Sequence, residues 1–368
     1  MQAGTYLLRL WCNEVKGPIV AALRDGVVWD ITSPTAPLIS DICALPDPAG
    51  YVRATEGREI ARLDELPTNY ELLAPCDLQA IKAAGVTFTR SMIERVIEER
   101  ASGDATIAAE IRTRITDAVG SAISGIEPGS QTAQRAKEVL IKEGLWSQYL
   151  EVGIGPDAEI FTKAQPLSAV GHSMEVGVHP ASEWNNPEPE VVLAVSPEGR
   201  IVGATLGNDV NLRDFEGRSA LLLSKAKDNN AACAIGPYLR LFDESCDLAD
   251  VMSQTLTLSI EGKDGFTLEE QCEMSQISRD PEAIVAQTIG ANHQYPDGVM
   301  LFLGTPFSPS KDRLAPGMGF THLPGDEVSI SCPALGTLQN TVQTSDTCPP
   351  WRFGASALMR NLSHRALI

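Results

Sequence analysis

Two acidic residues that lie two positions apart, and a third that follows after a single turn, constrain this chain more than any other feature. Glu188 and Glu190 lie in the segment Asn185–Leu193, and side chains two positions apart point to the same face of an extended strand. A turn sequence, Pro197–Arg200, and a second apolar run lead on to Asp209. A strand that returns beside its neighbour can place the third carboxylate next to the first two. Three oxygen ligands on one face are typical of a site for Mg²⁺ or Mn²⁺.

Composition excludes several classes of protein. The chain has 368 residues and a net charge of −19, and such a surface repels nucleic acid. No apolar run approaches the roughly 18 residues that a membrane span needs. We expect no signal peptide, because the first residues lack a basic segment followed by an apolar one. Eight scattered cysteines form no C-x-x-C pair, which predicts reduced thiols and a cytoplasmic protein.

The distribution of turn residues and apolar periodicity predicts two domains. Residues 1–75 contain short strands separated by Gly-Pro and Asp-Gly turns, which is typical of a small N-terminal domain. Residues 76–368 carry the acidic motif and are otherwise rich in strands and turns. Within them, residues 91–150 or so show helical periodicity. We interpret that stretch as a helical insertion that covers the β-rich core or packs beside it.

Seven short motifs occur in a fixed order between residues 77 and 345, and together they resemble those of the fumarylacetoacetate hydrolase superfamily. The motifs are Phe161-Thr162-Lys163, Pro187-Glu188-Pro189-Glu190, Gly207-Asn208-Asp209-Val210 with Arg213, Lys227 ahead of Ala234-Ile235-Gly236-Pro237, Gly304-Thr305-Pro306, Pro324-Gly325-Asp326, and Leu335-Gly336-Thr337-Leu338.

The resemblance implies a mainly β fold with some α structure. It would be a mixed β-sandwich roll with a small N-terminal α/β domain and a helical insertion. It also implies a divalent metal ion, Mg²⁺ or Mn²⁺, and a small-molecule 2-oxo acid as substrate, which reacts through a metal-stabilised enolate. Members are usually dimers, so we expect a homodimer or homotetramer with no nucleic-acid or membrane partner.

One departure from the family pattern selects among the reactions. Many hydrolases of the family carry Asn-Tyr-x-x-His-x-x-Glu on a short lid helix, where the His–Glu pair activates water. The corresponding stretch here has Phe88 for the tyrosine and Ser91 for the histidine, and it retains Glu94. Serine cannot act as a general base near neutral pH, whereas histidine can. The segment Gly85–Ser91 instead resembles the dehydratases of 2-keto-3-deoxy sugar acids. We therefore predict conversion of a 2-keto-3-deoxy-pentonate to 2,5-dioxopentanoate, the semialdehyde of α-ketoglutarate.

The same resemblance implies roles for individual residues. Glu188, Glu190 and Asp209 are the predicted metal ligands. The predicted catalytic residues are Glu94, Lys227 and Arg213, and the predicted substrate-binding residues are Arg90, Ser91, Lys163, Lys225 and Thr305.

Several of these assignments have a plainer alternative. Glu94 lies in a charged helix whose acids are normally solvated, and Ser91 is equally suited to capping that helix. If residues 225–227 form a strand, Lys225 and Lys227 share a face. Lys227 is a candidate base if burial lowers its pKa. The acids Asp214 and Glu216 are interpreted as surface groups or as outer partners of the metal site.

Two rival functions follow from the same residues. One is an acylpyruvate or 2,4-diketo-3-deoxy sugar acid hydrolase that cleaves a C–C bond with a base from elsewhere, such as His172 or His179. Those histidines also allow a mixed His/Glu metal site. The other rival is an inactive binding module, which the retention of three carboxylates with Lys227 disfavours.

Overall fold

A computed structural model of the chain describes residues 3–123 and 125–368. The strands of the described residues are β1 (Thr5–Cys12), β2 (Gly17–Arg24), β3 (Val27–Asp30), β4 (Arg58–Arg62), β5 (Tyr70–Leu73), β6 (Ala80–Gly85), β7 (Glu159–Ala164), β8 (Glu175–Val178), β9 (Asn185–Asn186), β10 (Pro189–Val195), β11 (Ile201–Asp209), β12 (Asn211–Leu212), β13 (Cys233–Leu241), β14 (Thr255–Glu261), β15 (Thr267–Glu273), β16 (Val299–Phe302), β17 (Glu327–Cys332) and β18 (Gly336–Thr344). The helices are α1 (Ile39–Ala44), α2 (Pro48–Ala54), α3 (Thr89–Arg100), α4 (Ala105–Ile123), α5 (Gln131–Lys142), α6 (Gln148–Ile154), α7 (Arg213–Glu216), α8 (Leu223–Lys227), α9 (Leu248–Met252), α10 (Pro281–Thr288) and α11 (Ala355–His364).

Two large sheets form the body of the protein. The larger has the order β4-β3-β2-β1-β13-β11-β10-β16-β6-β7, and β5 also pairs with β1. The smaller has the order β15-β14-β17-β18-β8. Pairing is antiparallel throughout these sheets except for β16 with β6 and β18 with β8. Strands β1–β5 share the larger sheet with the acid-bearing strands β10 and β11. The division into domains at residues 75 and 76 stays a prediction.

The core lies on both sides of the larger sheet, which explains the unbroken apolar run Val191–Val195 within β10. Val191 and Leu193 face the smaller sheet and join one buried cluster. Val192 and Ala194 face the opposite way and join a second cluster, which includes residues of α1 and α2. Successive strand residues point to opposite faces, so a segment of strand covered on both faces is apolar at successive positions. Each large apolar side chain buried in this way contributes roughly 1.5–3 kcal/mol.

Helices α3–α6 form a compact helical unit, residues 89–154, with an apolar core of its own. Met92 and Val96 of α3 pack in this core against Ile115 of α4 and Leu140 of α5. Ser130 and Ser147 cap α5 and α6 by accepting backbone N–H groups, as serine does at a helix N-terminus. The helices therefore occur where the sequence predicts a helical insertion. Among the described residues, no helix has the length and apolar character required to cross a bilayer.

Candidate metal centre and substrate cavity

The strand pair β10–β11 brings the three predicted ligands together. Glu190 pairs in register with Gly207, and the backbone N–H of Asp209 donates to the carbonyl of Glu188 at 3.0 Å. Each of the three acids offers a carboxylate oxygen, and these oxygens all lie within 4.8 Å of one another. All three side chains are buried. The strand–turn–strand interpretation is thus confirmed, while the role of these acids as metal ligands stays a prediction.

The electrostatics of the cluster fit a divalent cation. Burial raises the pKa of Glu190 well above its ordinary value, and the charges of Asp209 and Glu188 raise it further. Burial alone would also raise the pKa of Asp209, but Lys163 and Lys227 outweigh it and lower that pKa. Repulsion among close, buried carboxylates is relieved by a positive ion, and an all-oxygen set suits Mg²⁺ or Mn²⁺.

The number of charged side chains around the cluster also favours a bound divalent cation. When all of them are ionised, the five buried acids of this region exceed the four buried cations around them by one negative charge, which a divalent ion can neutralise. The acids are Glu98, Glu188, Glu190, Asp209 and Glu216, and the cations are Arg95, Lys163, Arg213 and Lys227.

Two buried lysines hold the ligand carboxylates. Lys227, at the end of α8, donates to Glu188 Oε2 at 2.7 Å and lies 3.1 Å from Asp209 Oδ1. Lys163 on β7 lies 2.8 Å from the same Asp209 oxygen. Burial would lower the pKa of Lys227, but Asp209 and Glu188 raise it above its ordinary value. The hypothesis that burial makes Lys227 a base is therefore not supported, and its ammonium group is a fixed positive charge.

The prediction for Lys225 rests on a strand that does not form. Residues 223–227 are helical, and positions two apart on a helix do not share a face. Lys225 is exposed, and its ammonium group lies over the ring of Phe215 at 5.3 Å. It therefore does not reach the carboxylates that Lys227 contacts.

A small enclosed cavity lies beside the three carboxylates. It measures about 20 Å³ as the volume open to the centre of a water molecule, which is room for about one water. Two of the predicted substrate-binding residues, Ser91 and Thr305, line it, and Lys227 lines it as well. The remaining lining residues are Ala84, Gly85, Val86, Arg95, Glu159, Phe161, Glu188, Glu190, Asp209 and Glu216.

The two cavity hydroxyls are bonded to the backbone. Ser91 donates to the carbonyl of Phe88 at 2.9 Å, and Thr305 donates to the carbonyl of Phe307 at 2.7 Å. Ser91 is the third residue of α3 and not its N-cap, which is Phe88. Val86, which also lines the cavity, has a positive φ of 47°. This conformation is strained for a β-branched residue, and such strained residues cluster at functional sites.

Two of the three predicted catalytic residues, Glu94 and Arg213, lie outside the cavity. Glu94 forms ion pairs with Arg112 of α4 and with Arg213. Arg213 is buried over the ring of Trp184, and its Nε lies 2.8 Å from Glu98. These contacts fasten the helical unit to α7, and neither side chain lines the cavity.

The structure also gives the positions of three further residues considered in the sequence analysis, Arg90, Glu216 and Asp214. Arg90 is half exposed and pairs with Glu270 at 2.7 Å. Glu216, interpreted from the sequence as a surface or outer group, is buried and lines the cavity. Asp214 instead accepts hydrogen bonds from Ser182 and from the backbone of Glu183.

The two histidines that supported a hydrolase lie away from the carboxylates. His172 lines a separate open groove of about 1140 Å³ beside the N-terminal strands. His179 packs edge-on against Phe215 at 5.5 Å. Neither side chain lines the cavity, so a mixed His/Glu metal site finds no support in the described residues.

Glu159 is a cavity residue that the sequence interpretation missed. Burial, followed by the charge of Glu216, raises the pKa of Glu159 to about 7, although Arg95 and Lys227 act in the opposite direction. A carboxyl group with such a pKa can both accept and donate a proton near neutral pH. The sequence did contain a signal for Glu159. Residues 159, 161 and 163 are spaced two apart along β7, so Glu159 points to the same face of the strand as Phe161 and Lys163.

Arg95 is the second missed residue. It donates to Glu188 Oε1 at 2.5 Å and to Glu98 at 2.6 Å, and it forms an ion pair with Glu216 at 2.6 Å. Burial would lower the pKa of Arg95, but Glu216, Glu98 and Glu188 together raise it. The sequence signal for Arg95 was the helical periodicity, which places Arg95 on the same face of α3 as Ser91 and Glu98.

Comparison with known proteins gives a consistent picture. The profile of the family described as "Fumarylacetoacetate (FAA) hydrolase C-terminal" matches residues 152–343, slightly more than half of the chain. A probable 2-keto-3-deoxyxylonate dehydratase of Haloferax volcanii is 27% identical over 334 residues, which cover 88% of this chain and 95% of that protein. A 2-dehydro-3-deoxy-D-arabinonate dehydratase of Saccharolobus solfataricus is 34% identical over 185 residues, 50% of this chain and 58% of the relative.

Solved structures with the same fold confirm the predicted architecture. A 2-keto-3-deoxy-D-arabinonate dehydratase in its apo form superposes with a TM-score of 0.64 at 22% identity, covering 92% of this chain and 99% of its own. The structure of that dehydratase complexed with magnesium and 2,5-dioxopentanoate superposes over the same shares with a TM-score of 0.63 at 22% identity. At this level of identity the likeness establishes the mixed, mostly β fold.

Proposed function

The chain belongs to the fumarylacetoacetate hydrolase family, and from that premise we propose that it removes water from a 2-keto-3-deoxy-pentonate to give 2,5-dioxopentanoate. The observation that carries the proposal is the composition of the cavity. Ser91 lines it at the position where the hydrolases of the family carry histidine, and no histidine is found among its lining residues in the described chain. The groups suited to proton transfer are carboxyls, which serve an elimination.

The relatives support this choice of substrate. Both curated relatives carry the names of dehydratases that act on 2-keto-3-deoxy pentonates. A solved structure with the same fold holds magnesium together with 2,5-dioxopentanoate. We transfer the substrate class to this chain because its cavity combines buried acids, two cations and the serine.

We propose Glu188, Glu190 and Asp209 as the ligands of a divalent ion, Mg²⁺ or Mn²⁺. The bound ion would supply positive charge that draws electrons from the 2-oxo group and makes the C3 hydrogens more acidic. Lys227 and Lys163 favour the ionised form of Asp209 and hold it in place, because both ammonium groups lie beside its Oδ1 atom.

Glu159 is the proposed acid and base. As a carboxylate it accepts a proton from C3, and as the resulting acid it returns that proton to the C4 hydroxyl, which departs as water. A second proton then moves from C5 to C3, and the C5 enol becomes the aldehyde. The net change is the loss of one water with all five carbons retained. Lys227 stays protonated and supplies positive charge to the substrate's carboxylate or oxo oxygen.

Substrate entry requires movement, because a pentonate is larger than the enclosed cavity. The helical unit covers one side of that cavity through Ser91 and Arg95 of α3, so we propose that it acts as the lid. Assembly as a homodimer or homotetramer and a cytoplasmic location stay predictions, as does the two-domain division.

A product assay with a matched variant tests the proposal. The protein is incubated with Mg²⁺ and a 2-keto-3-deoxy-pentonate, and the products are separated and identified. We expect 2,5-dioxopentanoate from the wild type and none from Glu190→Gln, which removes one ligand charge. Glu198→Gln, on the turn after β10, serves as the control and should retain activity. Cleavage of an acylpyruvate by the wild type, without any semialdehyde from the pentonate, would show a hydrolase instead.

A further inference from the structure

Arg95 makes a contact that no other described residue of the helical unit makes. Its guanidinium donates to Glu188 Oε1 at 2.5 Å, and Glu188 is one of the three proposed metal ligands. Across the described part of residues 89–154, no other hydrogen bond or ion pair reaches Glu188, Glu190 or Asp209. The candidate metal centre is thus tied to the helical unit through one side chain.

The same guanidinium joins three separate elements. Glu98 belongs to α3 itself, Glu216 ends α7, and Glu188 immediately precedes β10. A planar guanidinium presents five N–H donors on three nitrogens in a fixed geometry and can meet all three carboxylates at once, whereas the donors of a lysine all radiate from one nitrogen. The position of α3 and the orientation of the Glu188 carboxylate are therefore set together.

Burial makes this link strong. The Arg95 side chain is only 10% exposed, and the three carboxylates that it meets are at most 5% exposed. Glu216 forms no other ion pair among the described residues. A buried carboxylate that loses its cation is unfavourable, so movement of α3 away from the site disturbs Glu216 and Glu188 together.

We propose that Arg95 is a positioning residue that couples docking of the helical unit to metal affinity. With Oε1 held by Arg95, Glu188 keeps its second oxygen, Oε2, directed toward Lys227 and toward the two other proposed metal ligands, Glu190 and Asp209. The charge of Arg95 does not oppose the ion strongly, because Glu98 and Glu216 already neutralise it. Orientation of Glu188 therefore dominates, and the docked state binds the ion more tightly. Coupling of this kind is reciprocal, so the bound ion stabilises docking in return.

The inference rests on the metal centre of the proposed function but not on the reaction, so it is tested without substrate. Calorimetric titration with Mg²⁺ compares the wild type with Arg95→Lys. The control is Arg100→Lys, a residue of the same helix that donates only to carbonyls of the helical unit, those of Gly144 and Trp146. We expect Arg95→Lys to bind Mg²⁺ about 10–100-fold more weakly, as is common when a hydrogen-bond partner of a ligand is changed.

The Arg100→Lys variant should bind Mg²⁺ like the wild type. Equal or tighter Mg²⁺ binding by folded Arg95→Lys would overturn the inference while leaving the metal centre intact. If the wild type itself bound no Mg²⁺, the metal centre and the proposed function would both fail.

Hydrogen exchange on the wild type gives a second measurement that needs no variant. Adding Mg²⁺ should slow amide exchange in α3, because the bound ion stabilises the docked helical unit. Unchanged exchange in α3, under conditions where calorimetry shows Mg²⁺ bound, would overturn the coupling. In folded Arg95→Lys the Mg²⁺-dependent slowing should be lost.

Discussion

At the scale of single residues, the main change concerns the acid that moves protons. The family pattern points to Glu94, which the structure places in ion pairs with Arg112 and Arg213, outside the cavity. Glu159 lies in the cavity and has a pKa raised to about 7 by burial and by Glu216. We therefore propose Glu159, and not Glu94, as the general acid and base.

The two acids give opposite predictions. Glu159→Gln should abolish nearly all turnover and should also remove the limb of the pH profile that it controls. Because the carboxylate form accepts the C3 proton, kcat/KM should rise with pH through the pKa of Glu159. That limb should lie at or below about pH 7, since a bound cation lowers the value further. The measurement is kcat/KM from pH 5 to 9 or so, a range set by the pKa of the group.

Glu94→Gln is the matched control for this experiment. It should retain most of the turnover and the same pH profile, while the melting temperature falls because the ion pairs with Arg112 and Arg213 weaken. A pH limb that persists in Glu159→Gln, or one that disappears in Glu94→Gln, would return the catalytic role to Glu94.

Comparing the sequence-based predictions with the structure shows which side-chain positions a sequence can predict. Glu188, Glu190 and Asp209 were found because strand periodicity and one turn suffice to bring them together. Arg95 and Glu159 were missed because their importance comes from tertiary burial, which turns ordinary charged residues into an enclosed network. The strand considered for Lys225 and Lys227 was wrong, because that segment forms a helix.

At the scale of elements, the turn after β16 supports the site. Gly304 has a positive φ of 92°, and its backbone N–H donates to Glu190 Oε2 at 2.6 Å. A Cβ at this position would lie 2.2 Å from Thr87 Oγ1 and 2.9 Å from the carbonyl oxygen of Ala84. The turn therefore needs glycine for both its conformation and its close approach to the strand β6.

Replacing this glycine tests the supporting role of the turn. Gly304→Ala should destabilise the protein by about 2–4 kcal/mol, from backbone strain and from the contact with Thr87. It should also weaken Mg²⁺ binding, because the hydrogen bond to Glu190 moves. Gly265→Ala is the control, since Gly265 has a similar φ of 85° and nothing within 4 Å of an added Cβ. Thermal denaturation with and without Mg²⁺ measures both effects, and equal losses in the two variants would contradict this role for the turn.

The elements themselves were largely predictable, and their arrangement was not. Alternating or continuous apolar runs located β1, β2, β10 and β11, and helical periodicity located α3 and α4. Local periodicity carries no information about strand order, so it did not reveal that β1–β5 share a sheet with β10 and β11. That sheet is assembled by long-range pairing of β1 with β13 and of β16 with β6.

At the scale of the whole molecule, the fold and the distribution of buried charge both centre on the candidate metal site. The larger sheet holds the carboxylates, the helical unit covers them, and the buried acids outnumber the buried cations. The family's fold supports several reactions of 2-oxo acids. The choice among them rests on the cavity, where Ser91 and Glu159 are present and histidine is not found among the lining residues described.

The most direct test of a dehydration is the fate of the substrate's carbon chain. Uniformly ¹³C-labelled 2-keto-3-deoxy-pentonate is incubated with the protein and Mg²⁺, and the reaction is followed by ¹³C NMR. Loss of water leaves every carbon–carbon bond intact, so we predict a single five-carbon product. In that product the coupling between C3 and C4 persists and an aldehyde carbon appears at C5. Loss of that coupling with release of labelled pyruvate, or an unchanged substrate in the presence of bound Mg²⁺, would contradict the proposed function.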